Sequence, residues 1–148
     1  MYIHEFTDPA CQDVREVGGK AAGLAQMTAE GLPVAPGFAV TAAAYRAYLE
    51  ADGLKEFTRR VLDGLGSGRD QAAFDDAAHR ISQRFADVPI PAEVADAVRG
   101  AYTKLCTETG VENIAVAVRS SATAEDSVGA SLRASSKPGW TSWVRTRS

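Results

Sequence analysis

The stretch VGGKAAGLAQMTAEGLPVAPGF, Val17 to Phe38, decides how the chain begins to fold. Ala21 to Glu30 is rich in strong helix formers, and Leu24 and Met27, three residues apart, are predicted to share a buried face. Gly31 stands where a helix C-cap belongs, and Pro33 follows two residues later as a stop. The helix is therefore expected to begin at Gly18-Gly19-Lys20. Paired glycines let the backbone approach a ligand closely, and the free N–H groups and dipole of a helix start favour an anion there. A lysine adds a point charge suited to phosphate. The pattern is not a Walker A loop, because Val14 stands where its first glycine would be and Ala21 follows the lysine in place of Ser or Thr. The same residues also read as a glycine turn with a solvated lysine.

On the N-terminal side, Ile3 to Phe6 reads as a short strand closed by Asp8 and Pro9. On the other side, Phe38 to Val40 reads as a second short strand after the Pro36-Gly37 turn. Thr41 is placed to N-cap a helix through Ala51 that buries Tyr45, Tyr48 and Leu49. Gly53 ends it, and Leu54 to Leu65 is a further amphipathic stretch. The loose loop from Gly64 to Gly68 misses the G-x-G-x-x-G pattern because Arg69 occupies the third glycine's place. Asp70 can cap a helix with Phe74, Ala78, Ile81 and Phe85 on one face. Pro89-Ile90-Pro91 breaks it, and Pro91 opens another helix carrying Val94, Val98, Tyr102 and Leu105. Gly110 ends that one, and the apolar run Ile114 to Val118 reads as a buried strand from its length and β-branched residues. The fold class expected is α/β (α+β, helix-rich).

Directly after that run comes VRSSATAED, Val118 to Asp126. Arg119 at a strand end would be held rigidly, and its forked guanidinium can clamp phosphate oxygens bidentately. Ser120, Ser121 and Thr123 offer hydroxyls, while Ala122 and Ala124 leave room for a ligand. Glu125 and Asp126 can orient Lys20 or Arg119. The alternative is a polar turn in which a serine caps a helix and the acids complement its dipole.

Composition limits the rest. The 148 residues are 45% hydrophobic and 24% charged, the profile of a globular domain rather than a disordered chain. A net charge of -3 supplies no broad basic field, so nucleic acid is not an expected partner. Cys11 and Cys106 cannot make a disulfide framework or a four-thiolate zinc site, and read as reduced thiols suited to the cytoplasm. The start MYIHEFTDPACQ has no secretory pattern, and no apolar run is long enough for a membrane span. A cytoplasmic chain without membrane contact is expected. His4 and His79 are isolated, and Glu5 and Asp8 form no obvious acid pair.

Taken together, VGGKAAGLAQMTAEGLPVAPGFAVTAAAYRAYLE and AVRSSATAEDSVGAS resemble one family. It is the N-terminal ATP-binding region of phosphoenolpyruvate synthase, pyruvate phosphate dikinase and rifampicin phosphotransferase, and the resemblance covers about residues 12 to 131. It implies an ATP-grasp-like nucleotide-binding domain, with Lys20 and Arg119 matching the family's phosphate-binding lysine and arginine. It also implies that ATP is cleaved with Mg²⁺ bridging its phosphates, and that a phosphoryl group passes to a histidine and then to pyruvate or rifampicin. Neither His4 nor His79 matches the phosphohistidine motif. Only an intact parent would meet pyruvate or rifampicin; this chain is expected to be an ATP-binding fragment of a phosphoenolpyruvate synthase-like phosphotransferase. A rifampicin phosphotransferase fragment, or an inactive remnant or adaptor, is the alternative.

The resemblance stops after Ser131. The family continues F-A-G-Q-Q, whereas this chain reads LRASSKPGWTSWVRTRS from Leu132 to Ser148. That tail has four basic residues, no acidic one and both tryptophans, although the residues before it carry 12 basic against 19 acidic. With codon 132 taken as TTG and suitable codons after it, one C inserted after TT gives F-A-G-Q-Q-Q-A-G-M-D-V-V-G-E-D-A-V. The domain reading is therefore 1–131 as a partial ATP-binding domain and 132–148 as a frameshifted, poorly ordered tail. Nucleotide sequence incompatible with that insertion would overturn the frameshift.

Overall fold

A computed structural model of the chain describes residues 1–65 and 70–121. Strands β1 (Ile3–Glu5) and β2 (Phe38–Val40) pair antiparallel, with Ile3 opposite Val40, His4 opposite Ala39 and Glu5 opposite Phe38. Both strands lie where the sequence placed them, β1 ending at Glu5 rather than Phe6. Past the end of β1, the Phe6 N–H donates to the Gly37 carbonyl at 3.1 Å. The Phe6 ring lies so close that a Cβ at Gly37 would stand 2.7 Å from its Cε2. Pro36-Gly37 is thus not the turn expected but leads into β2, and position 37 needs glycine, or a displaced ring.

Between the strands come a 3-10 turn (Pro9–Gln12) and helix α1 (Val14–Ala29). Asp13 caps α1 by accepting from the Arg15 N–H at 2.9 Å. The helix is interrupted at Gly18, where φ is 76° and ψ 164°. That region is essentially open only to glycine, so α1 is one turn followed by a new helical start at residue 19. This is the start expected from the paired glycines.

The core forms where the alanine side of α1 meets the strands: Cys11, Val17, Ala21, Ala22, Ala25 and Ala39 are buried, and Phe6 packs against them. The prediction that Leu24 and Met27 form the buried face is corrected, since Leu24 is half-buried and Met27 exposed. Small methyls let the helix come close to the strands, at about 0.8 kcal/mol for each buried group of CH₂ size. The bulkier residues sit to the side of that approach.

The remaining helices are α2 (Ala42–Glu50), a 3-10 turn (Ala51–Gly53), α3 (Leu54–Asp63), α4 (Gln71–Asp87) and α5 (Ala92–Thr109). Thr41 and Asp70 cap α2 and α4 as predicted, and Gly110 ends α5 in the left-handed conformation. The Tyr48 hydroxyl on α2 meets the carbonyls of Phe85 and Val88, 3.0 Å from the latter, and its ring meets Phe85 edge-on at 5.7 Å. Tyr45 and Phe74, predicted as core, are exposed instead. Helical period places such residues on a face, but a face is buried only where another element covers it.

Helix α5 lies against β1. Lys104 Nζ is 2.5 Å from Glu5 Oε1, and the Tyr2 hydroxyl donates to Glu93 Oε1 at 2.9 Å. Beyond it, the Tyr102 hydroxyl donates to the Ile114 carbonyl at 2.9 Å. Residues 114–118 are not the buried strand that was predicted. They pair with no strand among the described residues, and Val118 is 76% exposed. A buried strand requires hydrogen-bonded neighbours and cover on both faces, and the described elements supply neither here. The helix-rich α/β class holds. The loop at 66–69, the segment from Ala122 through Thr123, Glu125 and Asp126 to Ser131, and the 132–148 tail lie outside the described residues.

Candidate functional site

The Gly18 break gives α1 a second N-terminus in mid-chain. Counting Gly18 as its N-cap position, Gly19, Lys20 and Ala21 are the first three helical residues, whose N–H groups a continuous helix would have used internally. Glycine has no side chain with which to cap them. Gly18 and Ala21 are buried, Gly19 is half-buried and Lys20 is exposed. The lysine is therefore carried at the exposed edge of a largely buried backbone break.

Arg119 comes to the same region by a different route. Helix α5, anchored to β1, releases the chain at Gly110, and Tyr102 holds the start of the following segment. That segment ends against α1, where the Ser121 hydroxyl oxygen accepts from the Ala21 N–H at 3.4 Å. The residue after Lys20 thus touches a residue two beyond Arg119. Arg119 itself is exposed on irregular backbone, not held at the end of a buried strand. The two sequence motifs meet through a contact spanning 100 residues.

Nothing local in the sequence marks Ser121 as the partner of Ala21. The motif offered several hydroxyls, and choosing among them required knowing where α5 sends the chain. The other titratable groups singled out from the sequence lie elsewhere. His4 is buried on β1 with Nδ1 2.8 Å from Asp8 Oδ2. The Asp8 carboxyl is held below the usual carboxylate range, first by the Ala10 N–H and then by His4. His79 is exposed on α4. Cys11 and Cys106 are free thiols, and burial pushes the Cys11 thiol up to about 11. A cleft of about 450 Å³ between α3 and α4, lined in part by Phe57, Val61 and Ala77, contains neither Lys20 nor Arg119. Among the described residues, no group of three or more His, Cys, Asp and Glu side chains could hold a metal ion. No helix among them is long and apolar enough to cross a membrane.

Comparison with known proteins adds a family. The pyruvate phosphate dikinase AMP/ATP-binding domain matches residues 14–135, an interval that contains both motifs. The chain is 44% identical over 128 residues to a probable phosphoenolpyruvate synthase of Staphylothermus marinus, covering 85% of this chain and 15% of that protein. It is 45% identical over 111 residues to a phosphoenolpyruvate synthase of Aeropyrum pernix, covering 74% and 13%. A phosphoenolpyruvate synthase of Neisseria meningitidis serogroup B is 40% identical over 129 residues, covering 84% and 16%. The chain therefore spans between 13% and 16% of the length of these relatives.

Proposed function

The chain belongs to the pyruvate phosphate dikinase AMP/ATP-binding domain family, and on that premise we propose that it forms one wall of an ATP site in which Lys20 and Arg119 hold the phosphates. The observation that carries the reading is the family match, whose interval takes in both motifs. The fold supports it. Residues 19–21 present a helix start, which favours anions through its N–H groups and dipole. Lys20 adds a compact charge and Arg119 a planar fork, and the segment bearing Arg119 is tied to that helix start through Ser121.

In this reading, residues 1–131 are part of a nucleotide-binding domain that works in a longer protein, as in the relatives. Such a protein would pass a phosphoryl group from ATP to a histidine and on to pyruvate. The phosphoenolpyruvate synthase names of the relatives favour pyruvate over rifampicin as the acceptor. Mg²⁺ enters through the family resemblance alone. The described residues do not offer it a ligand set, so none of them is assigned to the ion. The exposed apolar run at residues 115–118 is surface that the rest of such a domain would cover. Residues 132–148 are read as out of frame, which sequencing the gene across codon 132 would test.

Two cations on an open surface act in high dielectric, where each contributes little. Turnover needs an opposing wall to exclude water and fix the in-line geometry. The expected outcome for this 148-residue chain is weak ATP binding that Lys20→Ala and Arg119→Ala each reduce, without sustained ATP consumption in Mg²⁺ with or without pyruvate. Unchanged ATP affinity in both variants would refute the phosphate site. Sustained turnover abolished by Lys20→Ala would show that this chain is a working enzyme by itself.

A further inference from the structure

Three helices of the chain are capped by the residue immediately before them: Asp13 serves α1, Thr41 serves α2 and Asp70 serves α4. The helical start at residue 19 has no such residue, because glycine occupies its N-cap position. Its third N–H, that of Ala21, is taken by the Ser121 hydroxyl oxygen at 3.4 Å. Thr41 Oγ1 accepts from the third N–H of α2, that of Ala44, at the same 3.4 Å. Ser121 thus makes the capping contact that Thr41 makes, but from a segment 100 residues away.

We propose that Ser121 is a long-range cap that sets Arg119 in register with Lys20, and so acts as a positioning residue for the phosphates of a bound nucleotide. The inference rests on the phosphate reading of Lys20 and Arg119. The geometric reason is reach. Two residues of chain span at most about 7 Å, so fixing Ser121 on Ala21 confines the Arg119 backbone to the neighbourhood of the helix start. Without that contact, the described hold on this segment is at its far end, where Tyr102 binds the Ile114 carbonyl. A glycine at the N-cap also gives the arrangement an economy of space. A local Asp cap would put a carboxylate where an anion is to bind, whereas a serine hydroxyl from the arginine's own segment carries no charge.

The test uses the full chain as wild type, Ser121→Ala and Ser121→Thr, with ATP plus MgCl₂ as the probe. Amide hydrogen exchange is first followed by NMR without nucleotide. Ser121→Ala should accelerate exchange at Ala21 and leave Ala44, capped by Thr41, unchanged. It should also raise the Kd for ATP by about two- to fivefold, no more than the loss of an exposed Arg119 contact itself would. Ser121→Thr, which keeps the hydroxyl, should restore both. Unchanged exchange at Ala21 in Ser121→Ala would overturn the cap. Altered exchange with an unchanged Kd would overturn the positioning role while leaving the nucleotide site intact. If the wild type protects Ala21 but does not bind ATP, the nucleotide reading falls and the positioning role with it, and Ser121 remains a purely structural cap.

Discussion

Replacing Gly18 with alanine tests the backbone break on which the proposed phosphate site depends. With φ at 76° and ψ at 164°, Gly18 occupies backbone space that a residue with a Cβ enters at a cost of about 1–3 kcal/mol. Alanine also restricts the unfolded chain, which offsets about 0.4–1 kcal/mol of that cost. A net loss near 1–2 kcal/mol is expected, lowering Tm by about 4–8 °C for a domain of this size. The same helix contains its own control. Gly23 has ordinary helical backbone, and a Cβ built on it meets nothing within 4 Å. Gly23→Ala should therefore stabilise by about 0.5–1 kcal/mol, the usual preference for alanine inside a helix. Thermal and urea unfolding followed by circular dichroism would read both variants, with the urea m-value checking that the same amount of surface unfolds. The diagnostic result is opposite signs five residues apart. If Gly18→Ala relaxes into a continuous helix, Ala21 regains an internal partner for its N–H, and ATP affinity falls even where stability recovers. Gly18→Ala that matches the wild type in both stability and ATP affinity would refute the reasoning.

Three further outcomes follow from the turn beside β1. Cys11 is fully buried and its thiol is pushed up to about 11, so iodoacetamide at pH 8 should label half-buried Cys106 first, as read by peptide mass spectrometry; equal rates would contradict the burial. The unfolded Cys11 thiol ionises near 9, below the folded value, so its contribution to stability should be lost as pH rises from there through about 11. Asp8 has the opposite sign. Its folded carboxyl lies below its ordinary value, so its contribution is present above the ordinary carboxylate range and is lost as pH falls through the lowered one. Urea unfolding from pH 6 to 3 should show a shallower loss in Asp8→Ala than in the wild type, and parallel curves would remove Asp8 from the acid response.

Signals that act within a few residues were legible in the sequence. Asp70 and Thr41 cap the helices that follow them, Gly110 ends α5, and the Gly18-Gly19 pair marks a helix start, because each choice is made by backbone geometry close at hand. The family was legible for a related reason: two motifs with distinctive residue types carry it without reference to the fold. Burial was less legible. Tyr45 and Phe74 have the period of core residues and stand exposed, while Ala21, Ala22 and Ala25, which have little hydrophobic weight of their own, make the face that the strands meet. Periodicity states which residues share a side of a helix; whether that side is covered depends on elements far away in the chain.

The sequence by itself determined most of the helices, the Thr41 and Asp70 caps, the two short strands and the kinship with an ATP-binding domain; the Asp13 cap and the pairing of β1 with β2 came from the structure. Tertiary structure alone decided that residues 115–118 are exposed and that the run pairs with no strand among the described residues, since a strand exists only through hydrogen bonds to neighbours that its own residues do not supply. It also decided that the Ser121 hydroxyl reaches Ala21. That contact depends on where α5, with Val94 and Leu105 buried, lies against β1, which sets where the following segment meets α1. A capping bond one residue upstream is a local property of the chain, whereas one spanning 100 residues exists only once every element between has been placed.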